Sequence, residues 1–158
     1  MTRPTLDIAL IGSGFMGRAH ALAFAAAART FALPRAPRVT LLADRDLETA
    51  AAAATSLGIA RASGDWREAI ADRTIDMIAI ATPNLLHAPI AIAALEAGKA
   101  VYCEKPLATS IPDAEAMVDA AAASGKPTAV GFTYLYNPMI VLARELIAAG
   151  EIGEINAF

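Results

Sequence analysis

The sequence predicts an α/β domain, a doubly wound parallel sheet with its strands in the order 3-2-1-4-5-6. Three observations lead there. Short apolar runs alternate with helix-period segments about six times along the 158 residues, the pattern of strand–helix–strand units. The apolar runs are nearly continuous, as in strands buried on both faces. The first run ends in a glycine-rich turn that opens a helix. The right-handedness of such units leaves few topologies, and the doubly wound order suits this alternation best.

Residues 6–11 (LDIALI) form the first strand and 15–29 (FMGRAHALAFAAART) the first helix. Alanine supplies much of the 56% hydrophobic content and favours helix at little entropic cost. Residues 33–37 (LPRAP) break that helix, because Pro34 and Pro37 cannot continue it. A second strand spans 38–43. Helix 46–57 follows, with Asp46 as N-cap and Gly58 just past its end. A weak third strand lies near 59–62 and a short helix over 65–71, capped by Asp65. Then come strand 76–81, helix 85–97 and strand 99–103. Ser110 caps helix 111–123, with Pro112 near its start. Strand 127–132 and helix 138–149 complete the pattern.

Bulk properties exclude some functions. The net charge is -3 and no basic stripe stands out, so nucleic acid is not expected as a partner. No apolar run approaches the ~20 residues of a membrane span, and the first residues do not read as a signal peptide. Cys103 is the single cysteine, so no intrachain disulfide forms, which suits a reducing, cytoplasmic setting. With Cys103, His20 and His87 far apart in sequence, no metal site is expected. Cys103 reads as a small buried hydrophobe, Trp66 as an anchor for its short helix, and His20 as a packing or helix-end residue.

Residues 12–17 read GSGFMG, a G-x-G-x-x-G between a strand and a helix. Gly12 permits the tight turn, Gly14 lets backbone approach a pyrophosphate, and Gly17 lets the helix pack on the strand. The helix N-terminus, with Phe15 and Met16 in its first turn, offers free N–H groups to phosphates. This context predicts a dinucleotide site, where glycines alone would mark only a turn. Asp44 ends the second strand, where a carboxylate accepts hydrogen bonds from the adenosine ribose. It lies farther from the turn than the usual ~20 residues, and the connection at 33–37 accounts for the excess. An acid here favours NAD by repelling a 2′-phosphate. Arg45 could bind that phosphate instead, leaving NADP open, and a solvated Asp-Arg-Asp turn is the blander alternative.

Two further segments sit at strand ends, where ligands bind in open α/β sheets: Thr82-Pro83-Asn84-Leu85-Leu86-His87 and Glu104-Lys105-Pro106. With GSGFMGRAH near the start, they resemble the Gfo/Idh/MocA oxidoreductases, a family that includes glucose–fructose oxidoreductase and inositol 2-dehydrogenase. The resemblance runs from about residue 6 to the last residue, and Glu-Lys-Pro is its most specific element. It implies a Rossmann-type sheet and roles for matching positions. Lys105 would lie beside the nicotinamide and the substrate hydroxyl as the catalytic residue. Glu104 would hydrogen-bond the nicotinamide ribose. Pro106 would fix the bend, a cis Lys105–Pro106 bond being known among relatives. Thr82, Pro83, Asn84 and His87 would line the wall for the nicotinamide end. Tyr134 and Asn137 would face the substrate. Relatives often carry Arg where Leu135 stands, which leaves no charged substrate contact from that position. The chemistry supports Lys105 independently: oxidising an alcohol removes its proton while a hydride leaves its carbon, a nearby ammonium stabilises the developing alkoxide, and general-base help with that proton contributes ~10²–10⁴ in rate.

The expected organisation is a dinucleotide-binding domain over 1–136. Residues 137–158 would be a linker helix and the start of a truncated second domain. Helix 138–149 carries Ile140, Leu142, Leu146 and Ile147, and residues 151–158 read as the first strand of a new sheet. In the family a second α+β domain begins here, supplies the rest of the substrate pocket and usually forms the homo-oligomer interface. The function expected is an NAD(P)-dependent dehydrogenase acting on a sugar, cyclitol or related polyol. The alternatives are a redox glycosidase of the same family that uses NAD transiently, and a non-catalytic dinucleotide-binding module.

Overall fold

The computed structural model describes residues 4–157; the two ends of the expected domain division, residues 1–3 and Phe158, lie outside that range. Six strands form one sheet: β1 (Thr5–Ile11), β2 (Ala36–Ala43), β3 (Arg61–Ser63), β4 (Met77–Ile80), β5 (Ala100–Cys103) and β6 (Thr128–Val130). Their order is β3-β2-β1-β4-β5-β6, and every neighbouring pair is parallel. The helices are α1 (Phe15–Thr30), α2 (Leu47–Leu57), α3 (Trp66–Ala71), α4 (His87–Glu96), α5 (Ile111–Ser124) and α6 (Pro138–Ala148). The order reverses between β1 and β4, so the crevice of the sheet opens above their carboxyl ends.

Strand periodicity sorts the core into two layers. Ile8, Leu10, Leu42 and Ala79 face one way, against Ala21 of α1 and Ala50, Ala53 and Ala54 of α2. Ile11, Ile78, Ile80, Val101 and Cys103 face the other way, against Ile90, Ala91, Ala94 and Leu95 of α4 and Met117 of α5. The small alanine side chains bring the helices close to large strand residues. Ile8, Leu10, Ile78 and Ile80 are fully buried, each worth about 1.5–3 kcal/mol of transfer free energy. The expected caps form: Asp46 accepts from Thr49 N, Asp65 from Arg67 N, and Ser110 from Asp113 N.

Three local expectations are corrected. The second strand starts at Ala36 and includes Pro37, which pairs with Leu6. Proline has no N–H to contribute to a ladder but is tolerated near a strand start, and the Ala36 N–H is bonded to Pro4 O. The third strand covers 61–63 and not 59–62, because Ile59 turns into the core. Residues 151–157 form no strand; a strand needs a neighbour's backbone groups, and among the described residues none lies beside it. No residue of α6 is buried. No helix among the described residues is long and apolar enough to cross a membrane.

Candidate functional site

A cleft of about 1030 Å³ lies over the carboxyl ends of the strands. It is walled by the β1–α1 turn, the end of β2, the β3–α3 turn and the end of β4. The three glycines of the first turn do different work. Gly12 has a φ of +98°, a region that disfavours a side chain, and a Cβ there would strike the Ala81 carbonyl. A Cβ on Gly17 would strike the carbonyl of Gly12, so the turn closes tightly on α1. Around Gly14 an added Cβ would meet nothing within 4 Å, and that space is open cleft. The first turn of α1 has no side-chain cap and no acidic residue, so its N–H groups and the positive end of the helix dipole are available to an anion. Phe15 and Met16 stand on the rim, Phe15 85% exposed.

Asp44 serves this turn as well as the cleft. Its Oδ2 accepts from Ser13 N at 2.8 Å and Ser13 Oγ at 2.5 Å, and its Oδ1 accepts from Arg45 N at 2.7 Å. Burial pushes its pKa up, but the Ser13 hydroxyl, the two backbone N–H groups and the Arg45 charge outweigh this and hold it below the usual carboxylate value. The group is therefore an anion at neutral pH. Arg45 points outward, its side chain 81% exposed and paired with Asp46 at 3.2 Å. The opposite wall is Trp66 and Arg67, with the guanidinium 4.3 Å from the ring centroid. Trp66 also packs on the core, as the sequence suggests.

At the end of β4, Thr82 and Pro83 line the cleft. The Thr82 hydroxyl is buried and has no protein partner, so its hydrogen-bonding capacity is free for a ligand. Asn84 begins a one-turn 3₁₀ helix over 84–86 and is exposed. His87 does not line the wall. It is fully buried, with Nδ1 2.8 Å from Pro106 O and Nε2 3.1 Å from Thr82 O. A ring with no exposed surface braces the two strand-end loops and gives a ligand nothing to touch.

The Glu104–Lys105–Pro106 turn stands beside this wall, because Glu104 N donates to Ile80 O. The Lys105–Pro106 bond is cis. Lys105 is exposed, whereas Glu104 is buried and within 2.7 Å of His20 Nε2. His20 thus does more than pack. Tyr134 is 78% exposed, in a 3₁₀ turn over 133–136. Asn137 uses its side-chain carbonyl to cap α6 at Met139 N. The structure therefore gathers Gly12, Gly14, Phe15, Met16, Asp44, Arg45, Thr82 and Pro83 around one cleft. It leaves Gly17, Asn84, His87, Glu104, Lys105, Pro106, Tyr134 and Asn137 off its lining. Sequence reasoning missed Ser13, His20 and Arg67 as parts of the site. Ser13 was within reach as the polar residue between two motif glycines, and His20 as the last residue of the GSGFMGRAH segment; Arg67 carries no local signal.

The open space over Gly14, the uncapped helix terminus and the unpartnered Thr82 hydroxyl fit the phosphates and hydroxyls of a dinucleotide. Comparison with known proteins agrees. Residues 6–132 match the Gfo/Idh/MocA oxidoreductase family, NAD-binding Rossmann fold. The chain is 45% identical over 154 residues to levoglucosan dehydrogenase of Pseudarthrobacter phenanthrenivorans, covering 97% of this chain and 40% of that protein. It is 33% identical over 150 residues to inositol 2-dehydrogenase 3 of Saccharopolyspora erythraea, covering 94% and 42%. Among solved structures, a levoglucosan dehydrogenase in complex with NADH and levoglucosan superposes with a TM-score of 0.92 at 45% identity, over 96% of this chain and 41% of that one. The chain spans about two-fifths of the length of these relatives. The glycine turn, the strand order and these matches converge: the chain belongs to the Gfo/Idh/MocA oxidoreductase family and carries its NAD-binding Rossmann domain.

Proposed function

We propose that this chain provides the cofactor-binding part of an NAD-dependent dehydrogenase acting on a sugar, cyclitol or related polyol. The observation that carries the reading is the open space at Gly14, at the uncapped N-terminus of α1 and at the switch point of the sheet. The substrate class follows from the relatives, which are named for levoglucosan and inositol.

In this reading the first N–H groups of α1 hold the pyrophosphate. Asp44 meets the adenosine ribose with the acceptor capacity that Ser13 and Arg45 leave free. Its charge turns away a 2′-phosphate. Thr82 and Pro83 form the floor towards the nicotinamide end. A bound NAD would supply the acceptor for a hydride from the substrate carbon. Lys105 holds the substrate hydroxyl: its neutral amine Nζ takes the hydroxyl proton as the hydride leaves the carbon, and the ammonium so formed stabilises the charge on that oxygen. His87 and Glu104 brace the loops that carry these groups.

Calorimetric titration of the 158-residue chain with NADH and NADPH tests the proposal. NADH is expected to bind more tightly, and Asp44→Ala to shift the preference towards NADPH. Tighter NADPH binding by the unmodified chain would show that Arg45 outweighs Asp44. Failure of both to bind a folded chain would sink the reading.

A further inference from the structure

We propose that His20 is a positioning residue: through Glu104 it ties the backbone of Lys105 to α1, the helix whose N-terminus faces the cofactor cleft. The inference rests on the function proposed above.

His20 lies one helical turn beyond Gly17, where α1 is pressed against the glycine turn. Its Nε2 is 2.7 Å from Glu104 Oε1, and the two side chains are 12% and 7% exposed. A carboxylate only accepts, so Nε2 carries the hydrogen. The other oxygen, Oε2, accepts from Lys105 N at 3.0 Å. One carboxylate thus joins a side chain of α1 to the peptide of Lys105. The orientation is narrow. A Cβ added at Gly131 would come within 2.9 Å of Oε1. The Tyr102 and His20 rings pack edge to face, with centroids 5.0 Å apart and planes at 77°. Remove the imidazole, and a nearly buried carboxylate keeps only one backbone donor. It would rotate towards water and release Lys105 N.

The consequence is coupling. Two hydrogen bonds through one carboxylate connect α1, whose N-terminus would meet the pyrophosphate, to the backbone of Lys105. A pair that served only to stabilise the fold would lower the melting temperature and leave the Lys105 amide where it was.

The test is ¹H–¹⁵N spectroscopy of the 158-residue chain and of His20→Ala and His20→Gln, each with and without NADH. In the unmodified chain, Nε2 of His20 is expected to be protonated and the Lys105 amide to resonate downfield, as a donor to a carboxylate. In His20→Ala that amide moves upfield and the affinity for NADH falls about tenfold, the scale of a lost hydrogen bond to a charged group. His20→Gln, whose amide can donate to Oε1, restores both. An unmoved Lys105 amide in folded His20→Ala, or no restoration by Gln, overturns the proposal. So does an unprotonated Nε2 in the unmodified chain. If His20→Ala does not fold, the protonated nitrogen and the Gln variant decide. If the unmodified chain binds no NADH, the proposed function falls, and the amide shifts still decide whether His20 holds Lys105.

Discussion

Two glycines of the same turn should fail in opposite ways. At Gly17 a methyl group has nowhere to go, because the obstacle is the carbonyl of Gly12 and both belong to tightly held backbone. Overpacking of this kind costs about 1–3 kcal/mol, and the upper end applies where backbone must move. For a chain of this size about 3 kcal/mol lowers the melting temperature by about 6–12 °C. At Gly14 the backbone is extended, with φ −63° and ψ −169°, a conformation any residue adopts. No atom lies within 4 Å of an added Cβ. Gly14→Val should therefore melt within a few degrees of the parent, because a substitution with no contact to lose is worth about 0.5 kcal/mol or less. Its methyls would fill the space assigned to the pyrophosphate, and overpacking by about 1–3 kcal/mol there means a loss of about 5–150-fold in NADH affinity. Circular dichroism melts and NADH fluorescence titrations on Gly14→Val and Gly17→Ala separate the two effects. A Gly14→Val chain that binds NADH like the parent would refute the placement of the pyrophosphate. A Gly17→Ala chain that melts like the parent would refute the close approach of α1 to the turn.

Further outcomes are expected. His87→Ala leaves a void between the Thr82 and Pro106 carbonyls and strands the one that accepts the ring N–H, at a cost of about 1–3 kcal/mol. Calorimetric melting should fall accordingly, and an unchanged melt would show that the ring braces nothing. The Thr74 hydroxyl, the Thr74 N–H and Arg61 hold the Asp72 carboxyl down at about 2 against the ordinary 3.8. Because its folded value lies below its unfolded value, the unfolded chain takes up the proton first. The stability it contributes is full above about pH 4 and disappears as the pH falls towards about 2. Asp72→Asn should flatten acid unfolding in that window, and curves of equal slope would contradict the assignment. Burial, with Glu104 nearby, pushes the Cys103 thiol up to about 12, so a thiol reagent at pH 8 should label it only after unfolding; rapid labelling of the native chain would show the layer beneath α4 and α5 to be open.

Much of the fold was legible because its determinants are local. Apolar runs such as 76–81 mark doubly buried strands wherever they occur. Asp46, Asp65 and Ser110 cap helices that start one residue later. The glycine turn announces its geometry through three positions in six residues. Pro37 is the instructive miss: its local preference is to interrupt, and pairing with Leu6 across the sheet overrides it.

The sequence by itself determined the order of elements, the position of the glycine turn and the strand ends on which Asp44, Thr82 and Lys105 sit. Only the tertiary structure decided what holds those residues in place. Asp44 is turned towards Ser13, His87 spans Thr82 and Pro106, and His20 reaches Glu104 across 84 positions of sequence. Such contacts leave no trace in periodicity or capping. They exist because the parallel sheet brings the ends of β1, β2, β4 and β5 side by side, and a buried polar group there must find its partner on whichever strand the topology has placed next to it.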